Sequence, residues 1–152
     1  MAPDLPDPRD LTLSVEYRRS LVRWASDCVR RLLPVFKRAA PQDARLRQAL
    51  AGADGFVRGE LGVGPMRRLA QGCHTAAREV EDPAAVAVAR AFGHAVASAH
   101  MGAHSRNIAR YTAKALGPDA AEELAWQRNH LPGELQTYVY GDAGPCVTRP
   151  RG

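Results

Sequence analysis

The sequence predicts an all-α fold, one domain of six or seven helices, and three observations predict it. Apolar residues recur at three- and four-residue spacing through most of the chain, the period of one helix face. Alanine is the commonest residue, and it forms helix better than glycine by about 1 kcal/mol per residue. No segment combines apolar–polar alternation with the β-branched enrichment of a half-buried strand. At 152 residues and 45% hydrophobic the chain suits a single domain with a buried core. Aromatic residues are only 6%, so the interior should be thin and closed by small side chains in near contact.

The elements follow in order. Residues 1–10 hold three prolines and are expected to form a flexible arm. Ser14 should cap a first helix running to about Arg38, with Leu21, Ala25, Cys28, Val29, Leu32 and Phe36 on one stripe. Pro34 lies inside it and predicts a kink or break. A second helix is expected from Pro41, with Leu46, Ala49, Leu50, Ala53 and Val57 inward, ended by Gly62-Val63-Gly64-Pro65. A third presents Met66, Leu69, Ala70, Cys73, Ala77 and Val80, stopping before Asp82-Pro83.

Residues 83–116 are helical by propensity throughout. One rod of that length would span about 50 Å at 1.5 Å per residue, too long for this domain, so a break is expected near Met101-Gly102. Gly117-Pro118-Asp119 punctuates before a helix over 122–130 containing Trp126, and Leu131-Pro132-Gly133 restarts a short last one through Tyr140. Residues 11–140 thus make the domain, and 141–152 are expected to be a flexible tail.

The 21 basic and 16 acidic side chains leave a net charge of +5. Nearly all the basic charge is arginine, with Lys37 and Lys114 the only lysines, a bias that weakens arginine abundance as a sign of nucleic-acid binding. Arg18, Arg19, Arg23, Arg30 and Arg31 give the first helix a basic side. Glu16 and Asp27 interrupt it, however, and no aromatic residues alternate with the arginines for base stacking. Nucleic acid is therefore not the expected partner. No apolar run approaches the roughly 18 residues of a membrane span, and the N-terminus lacks the pattern of a secretory signal. Three widely spaced cysteines, Cys28, Cys73 and Cys146, predict a reducing compartment, the cytoplasm.

The histidines are the most suggestive side chains: His74, His94, His100, His104 and His130. His100 and His104 stand four apart, so an unbroken helix would set both rings on one face, the spacing of a two-histidine metal site. No further ligand completes a set, and Gly102 between them threatens the helix. The expectation is a polar seam of hydrogen-bonded imidazoles with no metal and no cofactor. Asp27 sits beside the inward stripe of the first helix, between Trp24 and Arg31 on adjacent turns. It can orient a histidine, as general acid–base catalysis requires, or pair with an arginine, which the local supply favours. No nucleophile emerges, since Cys28 and Cys73 fall on apolar stripes. If there is a site, it is expected where Trp24 and Asp27 meet His74, His94, His100 and His104.

Several segments form a pattern when taken together. The first helix carries Leu13-Ser14, Arg18-Arg19, Trp24-Ala25-Ser26-Asp27-Cys28 and Leu33-Pro34-Val35-Phe36. The middle carries Asp43-Ala44-Arg45-Leu46-Arg47, Gly59-Glu60-Leu61 and His74 followed by Ala76-Ala77-Arg78. A third stretch runs from Ala89 through Phe92-Gly93-His94 to His100 and on to His104, with 111–115, Trp126-Gln127 and Leu131-Pro132 completing the set. Over 11–140 these segments resemble a family of small helical bacterial proteins, the immunity-five-like domain of toxin systems, most closely in the third stretch. The resemblance implies a helical fold in a bacterial cytoplasm and neutralisation of a cognate toxin by direct binding, and it brings no catalytic residues. At +5 the chain would meet an acidic toxin face, or use a local acidic patch such as Glu79-Glu81-Asp82 or Glu122-Glu123. A small histidine-dependent enzyme, with or without a metal, and a helical nucleic-acid-binding module stand as alternatives.

Overall fold

The computed structural model describes residues 5–141. Among them are eight α-helices, three 3₁₀ segments and no strand. The helices are α1 Val15–Arg30, α2 Leu33–Ala39, α3 Arg45–Val57, α4 Val63–Glu79, α5 Pro83–Ala97, α6 Ile108–Leu116, α7 Ala121–His130 and α8 Gln136–Tyr140. The all-α expectation holds, with one helix more than the expected maximum. The extra one arises at Pro34. Its ring would meet the carbonyl four residues back, that of Arg30, and it has no N–H to give. α1 therefore stops at Arg30, and Pro34 sits in the first turn of α2, where a missing donor does no harm.

Ser14 caps α1 as expected, its hydroxyl accepting from the Tyr17 N–H at 3.3 Å. The second expected helix is corrected at both ends. Pro41 lies in a turn, and α3 begins only at Arg45. There the Asp43 carboxylate accepts from the Arg45 backbone N–H at 3.0 Å and holds its guanidinium at 2.6 and 2.9 Å. α3 also stops at Val57, short of the expected glycine–proline stop. Gly62-Val63-Gly64-Pro65 instead opens α4, because the proline falls among the first helical residues, whose N–H groups have no partner inside a helix.

α5 is the centre of the molecule and packs against α1, α2, α3, α4 and α6. Asp82 caps it by accepting from the Ala85 N–H at 3.0 Å. Its buried residues, from Ala85 to Ala97, are mostly alanine and surround the helix on nearly all sides. Small side chains here let neighbours come near. A Cβ placed on Gly93 would lie 2.5 Å from His74 Nε2, so the α4–α5 contact depends on the glycine.

The expected break falls at Met101, which is extended (φ −150°, ψ 106°) and is followed by a 3₁₀ segment, Gly102–Asn107. Two N–H groups freed by the break find carbonyls in the chain before α1. Gly102 donates to Thr12 at 3.1 Å and Ala103 to Leu11 at 2.9 Å. Within the stretch expected as an arm, the Pro8 carbonyl accepts from Arg106 at 2.7 Å and the Asp10 carbonyl from the Tyr138 hydroxyl at 2.8 Å. Residues 1–4, and all but Gly141 of the expected tail, lie outside the described residues.

A histidine row beside a basic groove

Four of the expected site residues come together. His74 on α4, His94 on α5, His104 in the 3₁₀ segment and His100 in the preceding turn form a continuous row. Ring centroids are 5.5 Å apart from His74 to His94, 5.2 Å from His94 to His104, and 5.3 Å from His104 to His100. The helix that was to place His100 and His104 on one face is broken, yet the tight turn keeps their rings adjacent. Tyr111 on α6 stacks on His94, 5.3 Å between centroids and 20° between planes.

Hydrogen-bond donors around the row settle where its protons are. Arg90 Nη1 lies 2.7 Å from His74 Nδ1. A guanidinium can only donate, so this nitrogen accepts and the proton of a neutral His74 sits on Nε2. Arg110 donates to Asn107 Oδ1 at 2.7 Å, which fixes the amide so that its NH₂ points at the row. That NH₂ reaches His94 Nδ1 and the His104 carbonyl, both at 3.3 Å. His94 Nδ1 therefore accepts, and the proton in its 3.0 Å contact with His104 Nδ1 belongs to His104. His100 Nδ1 is buried and has no partner among the described residues.

The surroundings are uniformly unfavourable to imidazolium. Burial, then the charges of neighbouring histidines and of Arg110 and Arg90, lower His94 to about 4. His74 is lowered by burial and by Arg90 and Arg78, His100 by burial, His104, Arg67 and Arg18, and His104 by burial. Arginines surround the row, and no carboxylate contributes to any of these shifts. Among the described residues, no three His, Cys, Asp or Glu side chains are placed to share a metal ion.

Trp24 and Asp27 do not join the row. The Trp24 indole N–H donates to the Gln127 carbonyl at 2.8 Å, and its ring meets Tyr140 edge-on at 6.3 Å, fixing it in the α1–α7–α8 seam. Asp27 is exposed and lines a small cleft of about 210 Å³ with Arg23, Ser26, Asp54, Val57 and Arg58. The ion pair next to it is Arg30–Asp54 at 3.7 Å, not the expected Asp27–arginine pair. Trp24 turns inward toward α7 and α8, and Asp27, three residues on, turns outward. His130 stands apart, stacked on Trp126 at 3.9 Å. Cys28 and Cys73 are buried, and burial raises both thiols, Cys73 to about 12, leaving them unreactive. Cys146 lies outside the described residues.

Beside the row, α5 and α6 enclose a groove of about 470 Å³ lined by Pro83, Val86, Ala87, Arg90, Tyr111 and Lys114. Spacing along the chain does not reveal this groove. Its only trace in the sequence is the helical spacing of Val86 with Arg90 and of Tyr111 with Lys114, which does not say that two such faces meet.

The architecture is that of a small all-helical domain built around a buried, alanine-rich central helix. The chain belongs to the Imm-5 like putative immunity protein family, whose model matches residues 11–134. No curated protein and no solved structure matches it significantly. Among the described residues no helix is long and apolar enough to cross a membrane.

Proposed function

We propose that this protein neutralises a bacterial toxin in the cytoplasm by binding it directly, with no reaction of its own. Membership of the immunity family over residues 11–134 carries the reading. The state of the histidine row supports it. A general base needs a free lone pair facing substrate, whereas the Nδ1 lone pairs of His74 and His94 are occupied by Arg90, Asn107 and His104. His74 and His94 thus serve packing and hydrogen bonding, tying α4 and α5 to the 3₁₀ segment that carries His104 and Asn107.

Co-expression with a toxin domain encoded beside its gene tests the reading. The expected result is restored growth and co-purification of the two chains. Growth arrest despite soluble protein, with no co-purified toxin, would count against it.

A further inference from the structure

We propose that the groove between α5 and α6 is where the partner docks, and that it receives an acidic, partly apolar segment of the toxin. The inference rests on the immunity reading for the partner's identity, but the chemistry of the groove stands by itself. Pro83, Val86, Ala87 and Tyr111 supply apolar walls, and Arg90 and Lys114 supply two cations in a space of about 470 Å³. That volume is within the range of about 300–1,000 Å³ typical of ligand pockets. Tyrosine and arginine are also residue types in which interface binding energy concentrates.

The cations are held in place but not neutralised. Arg90 is anchored by His74 Nδ1 at 2.7 Å. Lys114 and Arg110 lie over the Tyr111 ring, 5.1 and 4.8 Å from its centroid. Among the described residues none of Arg78, Arg90, Arg110 and Lys114 has an ion-pair partner. The acidic side chain nearest in sequence to the lining, Asp82, is engaged in capping α5.

One carboxylate of each of the chain's own acidic patches is already paired. Glu79 pairs with Arg45 at 2.5 Å and Glu123 with Arg31 at 2.5 Å. What the molecule offers a partner at this groove is therefore positive charge beside apolar surface, which matches carboxylates flanked by apolar side chains.

The test uses the full-length protein, ¹⁵N-labelled, and a capped peptide of sequence Glu-Leu-Asp-Phe-Glu-Leu-Asp, with its Gln/Asn counterpart as control. The acidic peptide should shift the amide signals of Val86, Ala87 and Tyr111 and bind at least about tenfold more tightly than the control. Lys114→Glu, an exposed change, and Arg90→Gln should each weaken it by about tenfold, and Arg47→Glu on α3 should not. Shifts on another face, no binding, or equal binding by Lys114→Glu would overturn the proposal. Peptide binding at the groove with no rescue in cells would leave the groove standing and sink the immunity reading. Rescue by the wild type and Lys114→Glu alike, without peptide binding, would do the reverse.

Discussion

His94 Nδ1 and His104 Nδ1 stand 3.0 Å apart with one proton between them, and Asn107 decides which ring holds it. Arg110 in turn orients Asn107. A residue on α6 thus controls the chemistry of one on α5 without touching it. The neutral state of the row is a property of this donor chain together with burial.

Stability should fall with acid over a defined window. His94 titrates near 4 in the folded protein, against 6.5 for an ordinary histidine. Well above pH 6.5 it is neutral in both states and adds no pH dependence. Between 6.5 and about 4 the unfolded chain takes a proton that the folded chain refuses, so the folded state loses stability as pH drops. His74, His100 and His104 shift the same way and steepen the loss. Urea midpoints measured from pH 7.5 to 4 should decline, and His94→Gln should flatten the decline. A profile unchanged by that substitution would contradict the assignment.

Asn107→Asp should reverse the polarity of the contact. A carboxylate accepts where the amide donates, so His94 Nδ1 must donate and its protonated form gains a partner. Titration followed by NMR should place His94 about 1–3 pH units higher than in the wild type. An unmoved His94 would mean that Asn107 does not set its protonation.

Gly93→Ala should destabilise the α4–α5 contact by about 1–3 kcal/mol, the usual penalty for overfilling a packed interior. The new Cβ would lie 2.5 to 2.9 Å from three atoms of the His74 ring. Adding His74→Ala should recover much of the loss, because it removes the group that clashes. A double-mutant cycle by denaturant unfolding measures this coupling, and strictly additive effects would rule the clash out.

Gln127 is fully buried, donates to Thr112 Oγ1 at 2.8 Å, and among the described residues its Oε1 has no partner. Thr112→Val should therefore cost about 1–3 kcal/mol by leaving the amide unpaired on both sides. Thr112→Val combined with Gln127→Leu should be much closer to neutral, since both polar groups leave together. Thermal unfolding of the three proteins distinguishes the cases.

Much of the fold was legible in the sequence because its signals are local. Ser14 and Asp82 cap helices that begin beside them, Pro34 breaks the rod it interrupts, and the alanine-rich segment is buried as its composition requires. Proline was the ambiguous letter. Pro41 and Pro65 both suit a first turn, and only the structure, where the Asp43 carboxylate holds the Arg45 N–H at the start of α3, shows that Pro41 lies outside the helix and Pro65 inside it. Of the residues expected at a site, the four histidines lie side by side. Trp24 and Asp27 lie away from them, because Trp24 turns into the seam with α7 and α8 and Asp27 faces solvent. Asn107, Arg90 and Arg110 could not be found from spacing, since their roles depend on contacts between helices.

The carbonyls of Leu11 and Thr12 meet the N–H groups of Ala103 and Gly102, so the leader before α1 is a splint for the bend that carries His104. A shortened protein starting at Ser14 would keep the sequence of every helix yet lose the clamp that holds the bend shut. Damage at one end of the polypeptide would then surface in the imidazoles, some ninety positions away.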